Sequence, residues 1–193
     1  MKSYSDFIDR LLLRDDLLAT LAPREPLGYD LVRRIREADD AMLAGGKKIV
    51  SAPPLALVRG ALYYAVDALD ECHRIFQEDH TDAGSYWHGM MHRREGDFDN
   101  ARYWFRRAGA LPIAAALHAE AARVSPLMAR QTTWDAYLLT GECEQCKHGA
   151  EESRAECVAL HRVEFDGLLD YCWRNAVALV PIVLTLSLGW FQT

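Results

Sequence analysis

The 193-residue sequence predicts an all-α fold, on three observations. Apolar residues recur at spacings of three, four and seven, as in Leu55, Leu62, Val66 and Leu69. No segment clearly alternates apolar and polar residues as a half-buried strand does. Glycines and prolines interrupt the helical pattern at intervals that suit helix ends. We expect one domain over residues 1–193, built as a bundle of about seven to nine helices.

The first three predicted helices are bounded by proline and glycine. The first, 4–21, ends shortly before a proline, which cannot continue a helix. The second, 28–44, ends at the glycine pair 45–46, and glycine is the residue favoured just after a helix. The third, 54–79, begins at the proline pair 53–54, because proline suits the first helical turn.

The remaining helical segments follow the same spacing of apolar residues. They are predicted over 83–95, 98–109, 112–124, 133–146 and 151–178. The stretch 141–153 is polar and of mixed charge, and we expect it to be a long, mobile connection between the last two helices.

Composition and charge exclude several classes of partner. The chain carries 28 acidic and 22 basic side chains, for a formal net charge of −6. This balance gives no general attraction to phosphate backbones or to anionic membranes, so nucleic acid is not an expected partner. The first 18 residues carry charges at nearly every turn and lack the apolar core of an export signal. We expect a cytoplasmic protein with reduced thiols, since its five cysteines form an odd set.

An uncharged, apolar segment covers residues 176–191. A membrane-spanning helix needs about 20 apolar residues, and this segment is shorter, contains Pro181 and has no basic residue after it. We therefore expect a buried terminal helix or a partner-binding tail. If the segment leaves a large apolar patch exposed, it predicts a homodimer.

Residues 85–112 combine helical spacing with a set of small and aromatic residues. Gly89, Ala101 and Phe105 stand at fixed intervals, and a turn follows at Gly96. In these positions the stretch resembles one tetratricopeptide repeat. The resemblance implies two packed helices at the centre of the fold, and a non-catalytic protein-interaction module as one function. The wider stretch 70–109 is similar to segments of uncharacterised bacterial and fungal proteins, a similarity that does not indicate any particular activity.

Four positions depart from the repeat pattern, and two of them carry side chains that could bind a metal or a ligand. His88 replaces the usual leucine and His92 replaces the usual tyrosine, so imidazoles occupy packing positions. Ser85 also replaces the aromatic residue, and Pro112 comes one residue early. No second copy of the repeat is found, which favours a single repeat-like hairpin inside another helical fold.

Polar residues share one face on each of two successive helices. On the second helix the stripe contains His88, His92 and Glu95. On the first helix the matching positions are Asp70, His73, Gln77 and His80. A short turn near 81–83 should make the two helices antiparallel neighbours, which places His73 at the level of the other two histidines.

These residues suit a metal ion. Neutral imidazoles and carboxylates are ligands for zinc and iron, so we expect His73, His88 and His92 to bind Zn or Fe, with Asp70 or Glu95 as a ligand or an orienting carboxylate. Any activity would be metal-assisted hydrolysis or oxidation. Two alternatives stay open: histidines that only make structural hydrogen bonds, and a metal-free site for a small polar ligand.

Arginines beside the histidines allow two interpretations. Arg93 and Arg94 could hold a carboxylate or phosphate of a ligand, because arginine binds both in a bidentate way. Alternatively, they could form a solvated face paired with Asp97 and Asp99.

A second set of metal-ligand residues occurs near the C-terminus. Cys143 and Cys146 form a C-x2-C unit, and Cys157 and His161 follow at i and i+4. The set could hold zinc, but no apolar hairpin surrounds the first pair, so free thiols are the favoured interpretation.

Overall fold

The computed structural model describes residues 4–149 and 153–178, and confirms the all-α prediction. This part of the chain contains eleven helices, nine of them of seven or more residues, and one isolated β-bridge between Ile49 and Val177. The helices are α1 (Asp6–Leu12), α2 (Tyr29–Glu37), α3 (Asp40–Ala44), α4 (Ala52–Ala65), α5 (Leu69–Phe76), α6 (Asp82–Glu95), α7 (Phe98–Ala108), α8 (Ala114–Val124), α9 (Pro126–Ala129), α10 (Ala136–Lys147) and α11 (Arg154–Ala176).

Three predicted helices are shorter than expected, and polar side chains explain two of the breaks. The segment 4–21 is helical only in α1, and Leu18 has a positive φ of 55° that a helix does not allow. The segment 28–44 divides into α2 and α3 because the Asp39 side chain accepts a hydrogen bond from the Met42 backbone N–H at 2.7 Å and caps a new helix.

The long helix predicted over 54–79 is two helices, α4 and α5. Asp67 lies between them with a φ of 63°, in the left-handed region that aspartate tolerates better than most residues. Arg94 donates a 2.5 Å hydrogen bond to its carboxylate and holds it in the core. The break therefore arises from a tertiary contact that helical periodicity does not reveal.

The connection predicted over 141–153 begins later than expected, because residues 141–147 belong to α10, and residues 150–152 lie outside the described part of the chain. Helix α10 spans Ala136–Lys147, where Gln145 and Lys147 are exposed while Cys143 and Cys146 are buried. The mixed charge of this stretch marks the exposed side of an amphipathic helix. The short helix α9 was not predicted; it begins at Pro126 and is capped by Ser125.

Helix α4 lies at the centre of the larger of two apolar clusters. It packs against α2, α3, α5, α6 and α11, and nine of its residues are buried. The second cluster joins the start of α11 to α8 and α10, and it contains three of the five cysteines. Helix α6 contributes Tyr86, Trp87, Met90 and Met91 to the larger cluster, and its Tyr86 accepts a hydrogen bond from Trp134 of the second.

Helices α6 and α7 make the most extensive helix-to-helix contact in the described chain. Gly89 allows this approach, because a Cβ atom at that position would lie 2.9 Å from the Phe105 ring and 3.2 Å from the Ala101 carbonyl oxygen. The position of Gly89 in the repeat-like pattern thus has a packing reason.

We expect Gly89→Ala to lower the free energy of unfolding by about 1–3 kcal/mol, since a crowded methyl group outweighs the gain of about 1 kcal/mol in helix propensity. Gly141 in α10 is the matched control, because no heavy atom lies within 4 Å of a Cβ atom there. Gly141→Ala should raise the same free energy by up to about 1 kcal/mol. Urea denaturation measures both, and a gain in both variants would contradict the proposed contact.

The apolar segment 176–191 lies outside the described residues from position 179 onward. Its predicted role as a buried helix or a tail, and the homodimer that depends on it, stay predictions. Among the residues that are described, no helix is both long and apolar enough to cross a membrane.

Candidate functional site

Three histidines meet where α5 packs against α6. His73 comes from the last turn of α5, and His88 and His92 come from successive turns of α6. One ligand nitrogen from each ring lies within 4.8 Å of the others. The ring centroids of His73 are 4.9 Å from His88 and 5.3 Å from His92. The prediction that the hairpin brings these three residues together is confirmed.

His88 is the most unusual member of the group. The residue is 3% exposed, and neither ring nitrogen has a hydrogen-bond partner among residues 4–149 and 153–178. The Trp104 indole stacks on the His88 ring with the ring centroids 3.9 Å apart. This contact covers one face of the imidazole but does not block the lone pairs, which lie in the plane of the ring. Burial, followed by the neighbouring His92 and His73, lowers the pKa of His88 to about 3. The ring is therefore neutral at pH 7, with an unused lone pair.

His92 is held by hydrogen bonds on both sides. Its Nδ1 lies 2.9 Å from the Glu95 carboxylate, and its Nε2 lies 3.1 Å from the Asn100 side-chain nitrogen. A carboxylate only accepts hydrogen bonds when ionised, so we assign the proton to Nδ1. Nε2 then carries the lone pair, and it accepts the hydrogen bond that the Asn100 side-chain amide donates. A metal ion on Nε2 would require the Asn100 amide to turn away.

His73 is the least covered of the three rings. It is half-buried, and burial is the main reason that its pKa is lowered, followed by His92. Glu95 and Asp70 act in the opposite direction and raise it. Any open coordination position would face solvent on the side of this residue.

The other predicted ligands divide into two groups. Glu95 belongs to the site through its hydrogen bond to His92, but neither Glu95 nor Asp70 joins the group of ligand atoms within 4.8 Å. Asp70 is exposed, although its charge reaches His73. Gln77 and His80 are exposed at and beyond the end of α5, and they are not part of the group either.

The predicted roles of Arg93 and Arg94 are corrected by the structure. Both side chains are buried, at 2% and 1% exposed, and they do not form a solvated face with Asp97 and Asp99. Arg93 pairs with Glu164 on α11, and Arg94 pairs with Asp67. Since buried guanidinium groups need such partners, these arginines are occupied by the fold and do not offer an anion site.

Sequence reasoning missed the network around Glu164. This carboxylate is fully buried; it pairs with Arg93 and accepts a 2.8 Å hydrogen bond from the Tyr86 hydroxyl. Trp134 donates to the Tyr86 oxygen at 2.7 Å. One signal was present in the sequence: Glu164 lies four residues from both Leu160 and Leu168, on the apolar stripe of its helix.

His161 does not complete a zinc site with the cysteines. Its Nδ1 accepts from Arg93 at 3.3 Å, since a guanidinium can only donate, and its Nε2 then donates to the Tyr64 hydroxyl at 3.1 Å. Burial, together with the charges of Arg94 and Arg93, lowers the pKa of His161 well below its ordinary value. The cysteines are all free and buried.

Comparisons of the chain with protein-family models, with curated proteins and with solved structures found no match.

The lowered pKa values predict that acid weakens the fold. His73, His88 and His161 take up protons more readily when unfolded, so their stabilising contribution is complete above about pH 6.5 and is lost as the pH falls toward their folded values. We expect the urea midpoint to fall between pH 7.5 and pH 5, and to fall less in His88→Leu. His80→Leu, on the same hairpin but exposed, is the control. An unchanged slope in His88→Leu would contradict the neutral, buried state of this ring.

Proposed function

We propose that the protein binds one divalent transition-metal ion, Zn²⁺ or Fe²⁺, through His73, His88 and His92. The observation that carries the proposal is the buried His88 ring with two unpartnered nitrogens, in reach of two further imidazoles. Without a ligand, this arrangement leaves a buried polar group unpaired at a cost of about 1–3 kcal/mol. A purely structural role for the histidines does not account for that cost.

The distances suit a metal after small movements of the rings. Zinc binds imidazole nitrogen at about 2.0–2.1 Å, and two such ligands in a tetrahedral site are about 3.3 Å apart. The three nitrogens lie within 4.8 Å of one another, so rotation of the rings about their side-chain bonds can bring them to that separation. Only neutral imidazole binds a metal, and the lowered pKa values of His73 and His88 favour this form.

Two neighbours hold the ligands in place. Glu95 accepts from Nδ1 of His92, which fixes the tautomer with the lone pair on Nε2 and increases its basicity, so Nε2 can bind a metal once the Asn100 amide turns away. Trp104 stacks on His88 and limits its rotation, and the Arg107 guanidinium lies over the indole at 5.3 Å. We assign Glu95 an orienting role, because its oxygens lie outside the ligand group.

A site of three neutral ligands leaves the full charge of the ion uncompensated. Such an ion lowers the pKa of a bound water molecule toward about 7, which supports hydrolytic or hydration chemistry. The half-exposed His73 is where solvent could reach a fourth position. Metal binding is the proposal, and a reaction would depend on a substrate reaching that side.

Elemental analysis tests the proposal. The full chain should be expressed without a polyhistidine tag, purified without chelator and analysed by inductively coupled plasma mass spectrometry. We expect about one equivalent of zinc or iron, removable by chelator and restored by adding the ion, as for sites of this ligand type. The proposal fails if the purified protein holds no metal and also takes up none from excess zinc or iron.

A further inference from the structure

Three thiols lie together where α10 packs against α11, away from the histidine site. Cys143, Cys146 and Cys157 are all buried in the second apolar cluster. The Cys146 thiol donates to the Cys157 sulfur, with the two sulfur atoms 3.8 Å apart. The three sulfurs do not all lie within 4.8 Å of one another, so they do not form a compact set of metal ligands.

The position of the pair in the hairpin makes it more reactive than its burial alone suggests. Cys146 is in the last turn of α10, followed at once by the exposed residues Lys147, His148 and Gly149. Cys157 is in the first turns of α11. Helix ends open more easily than helix centres, so a small oxidant can reach the sulfurs when the last turn of α10 opens.

We propose that Cys146 and Cys157 are an oxidation site, at which a peroxide converts the two thiols to a reversible disulfide that joins α10 to α11. A disulfide requires sulfurs about 2.05 Å apart, so the two atoms must approach by about 1.8 Å. The end of α10 can supply this movement. Cys143 lies one turn deeper in the helix and is the less mobile partner.

The reaction balances with hydrogen peroxide as the oxidant. Burial raises the pKa of the Cys146 thiol, so it gives its proton to water only when the last turn of α10 opens. The resulting thiolate attacks one peroxide oxygen and breaks the O–O bond, which gives a sulfenic acid, and the other oxygen takes up that proton and leaves as water. The Cys157 sulfur then attacks the sulfenic sulfur. The S–O bond breaks, and the hydroxide leaves as water with the proton of the Cys157 thiol. Two thiols and one peroxide thus give one disulfide and two water molecules.

Cys143 is the third thiol and assists the pair without joining it. Its pKa is lowered by the hydrogen bond with Cys157, which outweighs its burial, and by the positive charge of Arg93. A thiolate at this position can take the proton from Cys157 as that sulfur attacks and pass it to the leaving hydroxide, so the overall balance is unchanged. We therefore expect Cys143→Ser to slow the reaction without changing the product.

Peptide mapping tests the proposal on the full chain. Trypsin cuts after Lys147 and Arg154, so Cys146 and Cys157 fall in different peptides. A second digestion with a glutamate-specific protease cuts after Glu144 and separates Cys143 from Cys146. The protein is treated with hydrogen peroxide, its remaining thiols are alkylated, and the digest is analysed by mass spectrometry with and without reduction. We expect a Cys146–Cys157 cross-linked peptide that dithiothreitol removes, both in the parent and in Cys143→Ser.

Three results would overturn the proposal. The first is full alkylation of all five cysteines after peroxide treatment. The second is a cross-link between Cys143 and Cys157, which would move the site one turn along α10. The third is irreversible oxidation to sulfinic or sulfonic acid without any cross-link. The parent protein alone decides among these outcomes, so a folding defect in a variant does not affect the test.

Discussion

Arg93→Ala should lower the free energy of unfolding by about 3–5 kcal/mol, the range measured when one partner of a buried ion pair is removed. The loss of stability comes mainly from Glu164, whose buried carboxylate is left without its ion-pair partner. Glu164 is fully buried, and without the guanidinium its remaining hydrogen bond comes from the Tyr86 hydroxyl, which is itself tied to Trp134. His161 would also lose the donor that its Nδ1 accepts from.

Urea denaturation at pH 7.5 measures this effect, and Arg106→Ala provides the control. Arg106 is an exposed arginine on α7, and removing it should change the free energy by less than about 0.5 kcal/mol. A paired replacement, Arg93→Met with Glu164→Leu, should recover most of the loss because no charge is left unpaired. If Arg93→Ala is as mild as Arg106→Ala, the buried pair does not stabilise the fold as argued.

His88→Leu should abolish metal binding while leaving the protein folded. The substitution removes the ligand whose nitrogens have no other partner, and leucine fits the apolar surroundings of Trp104. In the metal-free protein it replaces an unpaired polar ring with an apolar side chain, so the melting temperature should be equal or slightly higher. Calorimetric titration with zinc and thermal unfolding in chelator measure the two effects separately.

Two further variants test whether the loss of zinc binding is specific to the three histidine ligands. Glu95→Ala should weaken zinc binding by about 10–100-fold without abolishing it, as expected for a group that orients a ligand. His80→Ala should bind like the parent, because His80 is exposed and outside the ligand group. Zinc binding that survives in His88→Leu, or that disappears in His80→Ala, would place the metal elsewhere.

The helices that were predicted well are those whose ends are fixed locally. The bounds of α6 and α7 agree with the sequence because Thr81, Gly96 and Asp97 cap them within the chain itself. The break at Asp67 could not be predicted, since its left-handed backbone is held by Arg94 from a helix 27 residues later. Periodicity detects a buried face, but it does not show which polar residue will interrupt it.

The contrast between local and tertiary determinants also explains which site residues could be predicted from the sequence. His88 and His92 were found because they occupy packing positions of a local pattern, and His73 because a short turn fixes its helix beside theirs. The roles of Arg93 and Arg94 were predicted wrongly because their partners are distant in sequence: Glu164 lies on α11 and Asp67 lies between α4 and α5. A run of arginines at a helix end is usually solvated, and only the tertiary structure shows that these two neutralise buried carboxylates.

Anomalous diffraction at the zinc edge, from crystals of the zinc-loaded and tag-free protein, tests the metal site most directly. We expect one peak between α5 and α6, about 2.0–2.1 Å from one ring nitrogen of each of His73, His88 and His92, with the Asn100 amide turned away from His92. The account is contradicted if no peak appears there and the three imidazoles contact only protein atoms, or if the ion lies at other residues.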